Sequence, residues 1–208
     1  MKKISFLTIL ILSLLTISFS FSQTTYVPDD NFEQALIDLG YDSGPLDDYV
    51  PTANINTVLI LNLNLKNISD LTGIEGFTAL KELYCSDNPL SNMDLSSNIA
   101  LEILRCEGNQ LSSLDVSSNT ALEILDCRNN QIPSLDVTQN PALLSLLVNG
   151  NQLSSLDVTQ NTALLFIWCY ENQLTSLDVT QNTLLRELFI DANQLTSLDL
   201  DINTVHTF

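Results

Sequence analysis

"ALEILRCEGNQLSSLDVSSNT" (residues 100–120) runs directly into "ALEILDCRNNQIPSLDVTQNP" (residues 121–141). Each stretch is 21 residues long, and the same frame of Leu, Cys, Asn, Leu and Asp-Val recurs on either side of them. The frame leucine falls at Leu80, Leu101, Leu122, Leu143, Leu164 and Leu185, and a degenerate copy begins at Val58, 22 residues before Leu80. A coil this short cannot bury its own apolar face, so successive coils must stack and share one core. In "LEILDC" (residues 122–127) frame residues alternate with variable ones at period two, the signature of a strand with one buried face. Stacking sets these strands about 4.8 Å apart in a parallel sheet. The predicted fold class is an α/β solenoid: a right-handed superhelix with a parallel β-sheet on one face.

One column of the frame is invariably Asn: Asn88, Asn109, Asn130, Asn151, Asn172 and Asn193. An inward Asn can bond backbone groups of its own coil and of the neighbouring one, so this column is structural. The pattern L-x-x-L-x-[LCVI]-x-x-N-x-L resembles the leucine-rich repeat, and the resemblance extends over roughly residues 58–200. Residues 23–57 fall outside the frame. Asp30 and Glu33 form a capping-box-like start, Phe32, Ala35, Leu36 and Leu39 share a helical face, and Gly40 ends it. A short amphipathic helix is therefore expected to cap the first coil. Such a cap is similar to that of the internalins. The wording of the repeats resembles secreted and surface proteins of the Bacteroidetes, which implies binding rather than catalysis. The last frame leucine would fall at His206, so residues 58–208 read as about seven coils with the last incomplete.

Residues 1–22 read as a secretory signal: a basic "MKK", an apolar run, and Ser20 and Ser22 ahead of a cleavage point. Cleavage would leave a chain with no membrane insertion, secreted or held at the cell surface. The formal net charge is −18, which repels nucleic acid and anionic membranes and suits a cation, a basic partner or simple solubility; the expected partner, from the aromatic face described below, is an extracellular protein or polysaccharide. There is a single His, and no nucleophile, phosphate-loop or zinc-protease motif occurs. Neither an enzyme nor a cofactor is expected.

Three columns are candidates for chemistry. Cys85, Cys106, Cys127 and Cys169 occupy one inward slot. Neighbouring strands hold their Cβ atoms farther apart than the roughly 3.8 Å of a disulfide, so free buried thiols are expected. Asp94, Asp115, Asp136, Asp157, Asp178 and Asp199 stack in the "SLDV" segments. Each is expected to cap backbone N–H groups of the following turn. The sharper alternative is a calcium- or polysaccharide-binding ladder centred on Asp115, Asp136, Asp157 and Asp178. The third is the outward face of the strands. Its central slot reads Tyr84, Arg105, Asp126, Leu147, Trp168 and Phe189, flanked in one coil by Phe166 and Tyr170. Early coils present charge. Leu147, Phe166, Trp168, Tyr170 and Phe189 together make an aromatic patch of the kind that marks a partner site. Leu125→Ala, facing inward, is expected to cost about 2–5 kcal/mol, and Asp126→Ala, facing outward, under about 0.5 kcal/mol.

Overall fold

The computed structural model describes residues 23–196 and the backbone of His206 and Thr207. The signal-like segment 1–22 and Asp199 lie outside the described residues. The body is an eight-stranded parallel sheet in strict chain order. Its strands are β3 (Ile60–Asn62), β4 (Glu82–Tyr84), β5 (Ile103–Arg105), β6 (Ile124–Asp126), β7 (Ser145–Leu147), β8 (Phe166–Trp168), β9 (Glu187–Phe189) and β10 (His206–Thr207). Leu104 lies opposite Leu125, Leu125 opposite Leu146, and Leu146 opposite Ile167. The 21-residue spacing is thus a physical register. The first step is 22 residues, Leu61 to Leu83, as the degenerate copy requires. At the far end His206 lies opposite Glu187, where a 21-residue step would bring residue 208.

The core is a stack of single-residue columns. Leu83, Leu104, Leu125, Leu146, Ile167 and Leu188 are all fully buried, each at the middle of its strand. Burial of a side chain of this size is worth about 1.5–3 kcal/mol, and parallel columns such as Leu101, Leu122 and Leu143 are buried as fully. The return side of each coil is built of turns, with one 3-10 turn at Ile74–Gly76. A 21-residue coil with a strand and two corners has no length left for a helix there. The described α-helices therefore belong to the cap. The corner after each strand from β3 to β9 takes a left-handed residue, in turn Leu65, Asp87, Gly108, Asn129, Gly150, Glu171 and Ala192. The two glycines meet that backbone demand without strain, and a Cβ there would press on the side-chain end of the preceding coil, Asp87 Oδ1 at Gly108 and Asn129 Oδ1 at Gly150.

Two asparagine ladders hold the corners. Asn109 Nδ2 donates to Cys106 O of its own coil and Cys85 O of the preceding one, while its Oδ1 accepts from Leu90 N. This is the ladder expected from sequence. A second one, Asn98, Asn119, Asn140, Asn161 and Asn182, is fully buried on the return side. There each Nδ2 donates to carbonyls of the coil before it, as Asn140 does to Val116 O and Asn119 O. Its sequence signal was the Asn closing every "SSN" or "TQN" turn.

The cap is more than a helix. β1 (Thr24–Tyr26) pairs antiparallel with β2 (Tyr49–Pro51), and α1 (Asp30–Asp38) and α2 (Thr52–Ile55) complete it. The N-cap is Asp29, not Asp30. Its Oδ1 accepts from Asn31 N and Phe32 N, and its Oδ2 reaches the first coil, accepting from Ser69 N, Ser69 Oγ and Asp70 N at 2.8, 2.7 and 3.1 Å. Glu33 does not reach back to the cap. It is fully buried and accepts from Asp47 N and Asp48 N. Phe32, Ala35 and Leu36 bury as expected and Phe32 stacks on Phe77 at 6.4 Å, but Leu39 at the C-cap is exposed.

Candidate recognition face

Period-two alternation sets the chemistry of the sheet. With Ile167 and Cys169 fully buried, Phe166, Trp168 and Tyr170 stand half-buried on the open face. Parallel register then brings the patch together. Phe166 lies beside Ser145 and Glu187, and Trp168 lies between Leu147 and Phe189. The indole meets the Phe189 ring edge-on at 5.4 Å between centroids. Tyr170 follows in the next outward position of the same coil. All five expected residues are adjacent on one face of β7–β9.

The charged early coils and the aromatic late ones are linked, which column reading did not foresee. Asp126, on the outward side of β6, is fully buried. Its cover is Arg128, two residues along the same strand face, which donates from Nε to Oδ1 and from Nη2 to Oδ2, both at 2.8 Å. The guanidinium then lies over the Trp168 ring, with Cζ 5.7 Å from its centroid. Arg128 therefore spans from β6 to β8 and joins a carboxylate to the aromatic patch. The expectation that Asp126→Ala is nearly silent is overturned, because an outward carboxylate under an arginine is desolvated. The available signal was an Asp and an Arg two residues apart on one strand face. Three further polar atoms of this face are buried without a partner among the described residues: Arg105 Nε, Asn149 Oδ1 and Trp168 Nε1.

The carboxylate column has a different geometry. Asp136, Asp157 and Asp178 each accept at Oδ1 from the backbone N–H and the hydroxyl of the Thr two residues on. Asp94 and Asp115 accept from Ser96 N and Ser117 N. The hydroxyl and backbone N–H of the Ser or Thr two residues on hold these carboxyls below their ordinary value, the hydroxyl leading at Asp94, Asp136, Asp157 and Asp178 and the backbone N–H at Asp115. Each carboxylate is thus turned toward its own turn. Among the described residues no three His, Cys, Asp or Glu side chains converge as a cation site. The four thiols are free and buried. Burial pushes Cys127 and Cys169 up to about 12, and Cys85 and Cys106 rise for the same reason. Among the described residues no helix is long and apolar enough to cross a membrane.

Solved structures place this geometry. The chain is similar to the functional domain of InlJ from Listeria monocytogenes, which includes a cysteine ladder: 32% identity over 89% of this chain, TM-score 0.69. The fold is a leucine-rich repeat solenoid of the internalin type. It is also similar to a leucine-rich repeat protein of Leptospira interrogans, at 25% identity over 76% of this chain and TM-score 0.69. The internalin C2 of Listeria monocytogenes shares the fold at 17% identity, TM-score 0.68, with 91% of this chain and 99% of that one covered. The chain spans 47% and 44% of the InlJ and Leptospira structures. No protein-family profile and no curated protein matches the sequence.

Proposed function

We propose that this chain is an exported recognition module that binds an extracellular protein or polysaccharide through the open sheet face of β7–β9, using Leu147, Phe166, Trp168, Tyr170 and Phe189. The carrying observation is the adjacency of these side chains on a face where no described element other than neighbouring strands packs extensively. Aromatic side chains give large contact area at low entropic cost and dominate interface energetics. Export rests on the signal-like residues 1–22. The internalin-type fold supports binding over catalysis.

A photoreactive phenylalanine analogue placed at Tyr170 tests the reading. Irradiation with extracellular material should yield one dominant adduct, and Trp168→Ala should remove it while the protein remains folded. An adduct of equal yield from an analogue placed at Thr138, on the return side, would count against the sheet face.

A further inference from the structure

We infer that the partner is a protein segment in which an apolar anchor is flanked by lysine or arginine. The inference rests on the reading of β7–β9 as the recognition face and adds the charge class of its ligand. Two observations carry it. The first is the neutralisation of the one cation at the centre. Both Asp126 oxygens accept from Arg128, and the guanidinium lies over the Trp168 ring. Arg128 thus offers a planar, charge-compensated surface beside the aromatics, not a free cation for an anionic ligand. The second is the rim. Glu187 is the register neighbour of Phe166, and Asp191 and Glu171 are exposed where the chain leaves β9 and β8. On the other side Glu107 holds Ser86 Oγ at 2.6 Å next to the Arg128 column.

These carboxylates surround a patch in a chain of net charge −18. The other cations near this face among the described residues are Arg105 on β5, two strands from β7 with its Nε buried, and exposed Arg186, one residue ahead of β9. An acidic ligand would be repelled by the rim, whereas a basic one is drawn in and oriented by it. An acidic polysaccharide is thereby disfavoured. A peptide with an apolar centre and basic flanks satisfies both the anchor and the rim.

Two fluorescein-labelled nonapeptides test this. Both carry Leu-Phe-Leu at the centre, with three lysines on each side in one and three glutamates in the other. Binding is read by the polarisation of the label. Its location is read by the emission of Trp168, the single tryptophan. The lysine peptide should bind at least about tenfold more tightly at low salt, perturb Trp168, and weaken as salt is raised. Glu187→Lys with Asp191→Lys should abolish or invert that preference. Asp30→Lys with Asp42→Lys, the same charge change placed in the cap, should leave it intact. Thermal melting checks that each variant is folded. If Trp168 responds equally to both peptides, or more to the glutamate peptide, the charge inference falls and the sheet-face reading survives. If the lysine peptide binds with Trp168 silent and both double variants weaken it alike, attraction is diffuse and both readings fall. If neither peptide binds, the inference is overturned.

Discussion

Arg128 and Asp126 make the sharpest energetic test, because sequence and structure disagree about them. Breaking a fully buried ion pair costs about 3–5 kcal/mol, whereas an exposed pair is worth about 0–1 kcal/mol. This pair lies between those limits: the Asp126 side chain is 0% exposed and that of Arg128 26%. Asp126→Ala removes two charge-assisted bonds of 2.8 Å. It leaves an arginine that can swing into water, so the loss should be about 2 kcal/mol. Part of it is the cation–π contact with Trp168, worth about 0.5–1 kcal/mol, which depends on Asp126 holding the guanidinium down. Arg128→Ala should cost a similar amount, since it strips a desolvated carboxylate of its partner. The double variant should lose much less than the sum, with a coupling of about 1–2 kcal/mol. Urea unfolding at neutral pH gives the numbers, followed by both circular dichroism and Trp168 emission so that coincident transitions justify a two-state treatment. Additive losses within about 0.3 kcal/mol would refute the clamp and return Asp126 to the role of an ordinary surface residue.

Other perturbations test the remaining parts. Leu125→Ala, in the fully buried mid-strand column, should cost about 2–5 kcal/mol in the same urea assay. Thiol titration should find no reactive cysteine in the folded protein and four after denaturation without reductant, since all four are free and buried. At Asp29, burial raises the carboxyl pKa, but the bonds from Ser69, Phe32 and Asp70 outweigh it and the net shift is downward. The stability Asp29 provides is therefore complete above the unfolded carboxylate value of about 3.9 and is lost as pH falls through the lower folded value. Asp29→Ala should destabilise the cap at pH 7 by about 1 kcal/mol and flatten the loss of stability below about pH 4. An unchanged acid limb would remove Asp29 from the account.

The coils were legible because the 21-residue frame fixes register, and register fixes which side chains meet. Leu147, Trp168 and Phe189 could be placed side by side from spacing alone, and the structure puts them there. The cap was less legible because nothing repeats in it. A string of two aspartates leaves the N-cap ambiguous by one residue. Asp29 takes the role because its second oxygen also finds the first coil. Glu33 shows the same limit, since its partners are 14 and 15 residues away in a loop without periodic signal. On the sheet face, column reading treats each outward slot as independent. It missed that a long Arg128 side chain folds back over Asp126 and crosses to Trp168, which makes an outward position a buried one.

We propose Trp168 and its neighbours as the partner-binding surface. Its most direct test is the dissociation constant of the partner crosslinked at Tyr170, measured with the native protein and with Trp168→Ala, alongside unfolding of the same samples. Trp168 contacts Arg128 and Phe189, so the substitution should lower stability by about 1–2 kcal/mol and leave the protein folded. Binding should weaken by about thirtyfold or more, equivalent to a hot spot of about 2 kcal/mol. An unchanged dissociation constant in a folded Trp168→Ala protein would contradict the account.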